Sequence, residues 1–285
     1  MRVLAADIGG TSIRAALVDE EGTIFERASA ATPADPGEGY AVLDGFWSRL
    51  DPSAPRAVVI AGGLNGRTGE LTQSPNLPGW EGTFPGKELG ATALNDANGA
   101  LLGEAWIGAL KGRDSAALLT LGTGVGGALL LHGELWVGRE GCAGEIGHVS
   151  VRPDGPHCLC GNRGCLELYA GARGIAKAAG TQSAQEAAEL ARSGELRSRS
   201  AWDKAGEALG ISIAGLANLL NPEAVCLGGG VAASFDLLIG PLRREIESRT
   251  FRLAREDLEV VPAALGSDSG LLGAARAALN EATWV

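Results

Sequence analysis

The sequence predicts an α/β protein of two lobes, and three observations point there. A chain of 285 residues can bury a substantial core and is long enough for two medium domains. Short runs rich in Val, Ile and Ala, broken by Gly-containing turns, give way to longer stretches with apolar residues at three- and four-residue spacing. The opening strand, glycine turn and strand, RVLAADIGGTSIRAALVD, has a counterpart about 110 residues on in SAALLTLGTGVGGALLLHGELWVG. Two such units indicate duplicated lobes, expected at 1–117 and 118–271, with a helix over about 272–285 packing back on the first.

Taken in order, RVLAAD, IRAALVD and TIFERASA read as a meander of strands, and PRAVVIAGG as another. Gly62 to Gly86 is compact loop material rich in Gly, Pro and Asn, and a helix is expected from near Asn98 in ANGALLGEAWIGAL. From Gly171 the pattern turns helical: an Ala-rich segment to Arg192, then a helix from Ser200 that stops at Asn221-Pro222. AVCLGGGVA is a strand entering a glycine turn, and FDLLIGPLRREIESRTF an amphipathic helix. In SDSGLLGAARAAL, Ser and Asp before the apolar run predict a capped helix.

Charge narrows the function. With 34 acidic against 24 basic residues, a net −10, and no block of like charge, the chain is unsuited to an electrostatic grip on nucleic acid or an anionic membrane. Any phosphate must be held by backbone and local geometry. The start, MRVLAADIGG, lacks the pattern of a secretory signal, and no window approaches the roughly 20 apolar residues of a bilayer span. The expectation is a cytoplasmic protein. In that reducing setting clustered Cys read as thiolate ligands before disulfides, while Cys142 and Cys226 are expected to be small core residues.

Three glycine turns each leave a strand. In DIGGT, Gly9 and Gly10 let the backbone bring N–H groups near an anion, Thr11 adds a donor, and Asp7 is suited to holding a metal-bound water. LGTGVGG offers Gly122, Thr123 and Gly124, and LGGG offers Gly228 and Gly229. Alone, each reads as a plain turn, and none has the Lys of a P-loop. Together they favour a nucleotide held by backbone. In LNDAN, Asn95 and Asp96 stand before a helix; they read either as an N-cap or as an orienting amide beside a general base that takes a proton from a sugar hydroxyl.

The densest chemistry lies in GCAGEIGHVSVRPDGPHCLCGNRGCLE. His148, Cys158, Cys160 and Cys165 supply one nitrogen and three sulfurs, the tetrahedral number for zinc. Four protein ligands leave no place for a water, so the metal is expected to be structural. His157 is a crowded spare ligand, and the spacing of Cys158 and Cys160 does not match a redox pair. Glu145 and Glu167 flank the clamp, read either as solvated carboxylates or as groups aimed by it.

In this order and at these distances, DIGGT, LNDAN, LGTGVGG, AGEIGH, CLCGNRGCLE and LGGG resemble the ROK family of sugar kinases and sugar-responsive repressors, over essentially the whole chain. The resemblance implies the actin-like, ribonuclease H-like fold, two α/β lobes with a zinc loop, closing on a sugar with ATP and Mg²⁺. It implies Asp96 as catalytic base and Gly63, Asn95, Glu145, His148 and Glu167 as sugar contacts, with SPNLPGW passing nearby. It assigns Gly10, Thr11, Gly122, Thr123 and Gly124 to the phosphates and Gly228 and Gly229 to the adenosine side, beside Asp7 and Gly9, already read as residues of the nucleotide site. His148 would serve zinc with one ring nitrogen and sugar with the other. Three departures stand out: Ser12, with Arg14 after it, where the family often has Lys; Gly171-Ala172 where it often has Ser-Gly; and compact loops around Gly62 to Gly86, which limit how bulky a sugar substituent is expected.

Repressors of the family carry a DNA-binding helix-turn-helix ahead of the first phosphate loop, and here only six residues precede Asp7. The expectation is therefore a sugar kinase rather than a regulator or a non-catalytic sugar sensor. AGEIGH, NLPGW and CLE are most similar to glucokinases; an N-acetylmannosamine or N-acetylglucosamine kinase, or a fructokinase, is the alternative. Family members are commonly homodimers or homotetramers, and that assembly is expected here.

Overall fold

The structure, a computed structural model, describes residues 1–280. The last five residues of the helix expected over 272–285 lie outside the described residues. The chain forms two bodies: 1–112 with 134–143 and the segment from Ala264, and 113–133 with 144–263.

The first body opens with β1 (Arg2–Ile8), β2 (Ser12–Asp19) and β3 (Ile24–Ala31), the predicted antiparallel meander. After α1 (Pro36–Leu50) come β4 (Arg56–Ile60), the small hairpin β5 (Gly63–Leu64) and β6 (Leu71–Gln73), α2 (Pro85–Leu89), β7 (Thr92–Asn95) and α3 (Asp96–Ile107). The sheet runs β3-β2-β1-β4-β7, with β4 parallel to β1 and β7 parallel to β4. Period-two alternation splits β1 between two faces. Leu4, Ala6 and Ile8 pack with Leu43 and Trp47 of α1 in one core, which leaves Val3, Ala5 and Asp7 on the opposite face.

The second body starts with β8 (Ala116–Leu121) and β9 (Val125–Leu131), antiparallel and joined by the Gly122–Gly124 turn. The short β10 (Glu134–Leu135) and the loop to Ala143 belong to the first body. Helices α4 (Glu167–Ala170), α5 (Ala172–Ala179), α6 (Ala184–Arg192) and α7 (Leu196–Leu220) follow. Then come β11 (Ala224–Gly228), α8 (Phe235–Arg249), α9 (Arg252–Glu256) and β12 (Glu259–Pro262). The strand order β9-β8-β11-β12, with β11 parallel to both β8 and β12, repeats the β2-β1-β4-β7 pattern of the first body. The duplicated strand pair of the sequence is thus a duplicated topology, and the expected fold of mixed sheets flanked by helices is the one found. Among the described residues no helix is long and apolar enough to cross a membrane.

The chain ends in the first body with α10 (Ser269–Leu279). Here the glycines of α3 and α10 meet: a β-carbon at Gly273 would overlap the backbone of Gly99, so the helix axes approach as they do only where side chains are missing. Glu104, with no exposed surface, accepts N–H bonds from Ala109 (2.8 Å), Ala264 (3.1 Å) and Leu265 (2.9 Å). A carboxylate buried without a cation is tolerable only when its lone pairs are filled in this way.

Several local expectations shift. Helix α3 begins at Asp96, two residues before Asn98, because Asn95 caps it. The Ala-rich segment breaks at Gly180, whose φ of 76° ends α5. Helix α7 starts at Leu196, before Ser200, because the Glu195 carboxylate caps it through Arg197 and Ser198 N–H. Asp268 makes no side-chain cap for α10; its carboxylate pairs with Arg27 at 2.7 Å instead. Cys226 is fully buried as expected, whereas Cys142 is exposed, because it lies in a loop outside any strand or helix.

Gly273→Ala is expected to lower unfolding stability by about 3 kcal/mol, since backbone has to move to admit the methyl group. Gly45→Ala, where nothing lies within 4 Å of the new carbon in the middle of α1, is expected to raise it by about 0.5–1 kcal/mol. Urea midpoints of the two variants check the contrast.

Candidate active site and metal clamp

In the first body, two of the expected site segments come together at the carboxyl ends of β4 and β7. Asn95 is the N-cap of α3: its Oδ1 accepts the N–H of Ala97 (2.9 Å) and Asn98 (3.3 Å). Its Nδ2 donates to Gly62 O at 2.7 Å, which ties the Gly62-Gly63 loop to the helix start. Asp96 follows as the first helical residue, exposed, with Oδ1 accepting the Ala97 N–H. The cap reading and the orienting reading of Asn95 are compatible, because fixing the helix start also fixes where the next carboxylate stands.

The DIGGT turn lies at the end of β1. Gly9 N–H bonds Ser12 O at 3.0 Å, and Thr32 Oγ donates to Gly9 O at 2.6 Å, while Thr11 is exposed. Asn76 of SPNLPGW lies over the turn, where a β-carbon on Gly10 would be 2.8 Å from the Asn76 carbonyl. That segment and the DIGGT turn are therefore packed together, a contact that the sequence does not reveal.

Sequence reasoning assigned no role to Arg14. Facing Asp7 across the β1–β2 pair, its guanidinium ion-pairs with the Asp7 carboxylate and donates to Ser267 O at 2.7 Å. Burial pushes the Asp7 carboxyl up from its ordinary value, against the lowering influence of Arg14. A cation two residues past the expected Lys thus stands beside Asp7. The signal for it was the β-register, in which residues 7 and 14 are partners.

In the second body, the two glycine turns are adjacent. Parallel pairing of β11 with β8 sets Gly228 against Thr120, and Gly229, at φ 84°, tucks onto Leu121 where any side chain would meet the backbone. Gly122, Thr123 and Gly124 follow directly, with Thr123 exposed. Glu145, also exposed, precedes a turn of 3₁₀ helix, Ile146–His148, and its carbonyl accepts the His148 N–H at 3.1 Å.

His148, Cys158, Cys160 and Cys165 converge, one ligand atom of each lying within 4.8 Å of the others. Cys158 Sγ is 3.8 Å from His148 Nδ1, and Cys160 Sγ is 3.6 Å from Cys165 Sγ. Zn–S bonds of about 2.3 Å at tetrahedral angles put sulfurs roughly 3.8 Å apart, so the four donors fit zinc. The loop is a small knuckle: Gly164 N–H bonds Pro156 O (2.8 Å), Cys158 N–H bonds Asn162 O (2.8 Å), and Asn162 Nδ2 holds His148 O (3.1 Å). His148 faces the cluster with Nδ1, which leaves Nε2 for another partner, and His157 takes no part. Glu167 stands beside the cluster, its Oε1 3.0 Å from Cys158 Sγ and 3.6 Å from His148 Nδ1.

Burial, with help from the Glu167 carboxylate, pushes the metal-free Cys158 thiol up to about 12, and burial raises Cys165 as well. Both keep their protons at neutral pH without metal, and both must release them to bind it. Zinc affinity is therefore expected to rise with pH, by at least about a hundredfold from pH 6 to pH 8 in a chelator competition. The purified protein is expected to carry about one zinc per chain. A pH-independent affinity, or less than half a zinc, contradicts the assignment.

The model for the family described as "ROK family" matches residues 3–281. A glucokinase of Thermotoga maritima is 34% identical, with 96% of each chain covered, and an N-acetylmannosamine kinase of Escherichia coli O7:K1 is 32% identical, with 99% of each covered. The crystal structure of a ROK family glucokinase from Streptomyces griseus in complex with glucose and AMPPNP superposes with a TM-score of 0.82 at 29% identity, covering 98% of this chain and all of that one. With the duplicated topology and the Cys₃His clamp already in place, these likenesses across its length show that the chain belongs to the ROK family.

Proposed function

We propose that the protein is an ATP-dependent, hexokinase-type sugar kinase that phosphorylates the 6-hydroxyl of a hexose, with glucose as its substrate. The observation that carries this reading is the start of α3. There Asn95 is pinned by the helix cap and by Gly62 O, and the next residue, Asp96, presents a carboxylate at a fixed position. A residue that aims a nucleophilic hydroxyl is the one specific group phosphoryl transfer needs; the rest is positioning and charge stabilisation.

In this mechanism the Asp96 carboxylate accepts the proton of the sugar 6-hydroxyl as its oxygen bonds to the γ-phosphorus of ATP in line. The bond from that phosphorus to the β,γ-bridging oxygen breaks, and ADP leaves. Asn95, the Gly63 backbone, Glu145, His148 through Nε2, and Glu167 are assigned to the remaining sugar hydroxyls. Backbone N–H groups at Gly9, Gly10, Gly122 and Gly124, with the hydroxyls of Thr11 and Thr123, are assigned to the phosphates, and Gly228 and Gly229 to the adenosine side. Such donors act without reorganising as charge develops. Mg²⁺, when bound, neutralises phosphate charge; the Asp7 carboxylate at the end of β1 is a hard oxygen donor suited to hold its waters. Zinc does no chemistry and holds the knuckle that carries His148 and Glu167.

Glucose is favoured by AGEIGH, NLPGW and CLE and by the glucokinase likeness, while a relative named an N-acetylmannosamine kinase at nearly the same identity supports the second substrate. The expected setting is the cytoplasm and the expected assembly a homodimer or homotetramer, both on the family resemblance alone. A coupled ADP assay across glucose, N-acetylmannosamine, N-acetylglucosamine and fructose is expected to give the largest kcat/KM with glucose. A larger value for an N-acetylated sugar overturns the substrate, and no turnover on any sugar overturns the kinase. Asp96→Asn is expected to lower kcat by about 10²- to 10⁴-fold with little change in KM for the sugar.

A further inference from the structure

The second body joins its metal clamp to its phosphate turn through contacts that the sugar-binding role does not require. Glu167 bridges the two. Its Oε1 is 3.0 Å from Cys158 Sγ, while its Oε2 lies 2.7 Å from where a β-carbon on Gly124 would stand. One carboxylate therefore touches a metal ligand and the glycine of the LGTG turn.

The chain after Cys165 makes the connection again. Leu166 N–H bonds Val149 O (3.0 Å), Leu168 N–H bonds Cys165 O (3.1 Å) and Ala170 N–H bonds Leu166 O (3.0 Å). Leu166 and Ala170 are fully buried. Ala172 N–H then donates to Gly122 O at 2.8 Å. A short buried segment, hydrogen-bonded at both ends, transmits displacement instead of absorbing it.

Gly171 is the point of closest approach. Its φ of −75° and ψ of 153° are open to any residue, so backbone freedom does not call for glycine there. In this chain space does, although the family often has Ser at this place: a β-carbon would lie 2.7 Å from Glu167 O, 3.0 Å from Thr123 O and 3.2 Å from Gly124 Cα. All three are backbone atoms, so a side chain at 171 displaces either the turn or the helix start. The unexplained Gly171-Ala172 pair is thus where the clamp's helix rests on the phosphate turn.

We propose that the clamp formed by His148, Cys158, Cys160 and Cys165 sets the position of the Gly122–Gly124 turn through Glu167 and Gly171, so that metal occupancy and nucleotide binding are coupled. Gly171 is a positioning residue for the nucleotide. The inference rests on the kinase reading, in which that turn holds phosphates. Coupling between two sites is reciprocal, so a metal that orders the turn for nucleotide is in turn held more tightly by nucleotide.

The test needs two measurements on the full chain. Zinc release from the unmutated protein to a chelator is followed with and without saturating MgADP, and is expected to slow about fivefold or more with nucleotide. Calorimetric titration of Gly171→Ala with MgADP is expected to show affinity about tenfold weaker. Its zinc content stays near one per chain and its glucose affinity within about twofold, which excludes general unfolding. An unchanged release rate, or a Gly171→Ala variant that binds MgADP as tightly as the unmutated protein, overturns the coupling while leaving a protein that turns over ATP a kinase. Failure of the unmutated protein to bind MgADP at all overturns both the kinase reading and the coupling.

Discussion

The convergence of one imidazole and three thiols on a single point is the interaction from which the functional face of the second body follows. Without a shared cation these donors form a polar knot in which burial holds protons on Cys158 and Cys165. With it, the segment from His148 to Cys165, already folded as a hydrogen-bonded knuckle, would be closed on one point. Glu145 stands at the entry to the 3₁₀ turn, His148 is held through Nδ1, and Glu167 leaves at the far end toward the LGTG turn. A structural metal matters here for what its ligands' neighbours do.

In the first body, carboxylates tie the chain together. Glu104 takes three backbone N–H groups, including two where the chain returns to this body after β12. Asp7 is countered by Arg14 on the partner strand. The two devices differ because the groups do. Glu104 is met by amides, whereas for Asp7, where burial disfavours the charge, a guanidinium stands beside the carboxylate and favours the ion. Asn95 shows the same economy, since one amide caps α3 and fixes the Gly62 carbonyl.

Much of the fold was legible in the sequence because its periodicities are local. Strand pairs joined by DIGGT and LGTG, the helix stop at Asn221 and the glycine after β11 each follow from residue types over a few positions. The repeat of one strand-turn-strand unit foretold the repeated strand order. The four metal donors were also legible, since their chemistry is written in residue type and spacing. Capping was less so: Asn95 and Glu195 start their helices where side-chain oxygens meet free N–H groups, yet Asp268 pairs with Arg27, a residue far away in sequence that no local rule brings near it.

By itself the sequence indicated most of the strands and the later helices, the duplicated strand pair, the donor set of the clamp and the Asn95-Asp96 pair, while α1, α9 and β12 were not read from it. Only the tertiary structure decided which backbone segments touch. It laid Asn76 over Gly10, Gly229 on Leu121, α10 on α3 through Gly99 and Gly273, and Gly171 on the LGTG turn. In a sequence a glycine records that space or freedom is needed and not which neighbour needs it. That neighbour is fixed by strand register and helix packing, which are settled between residues far apart in the chain.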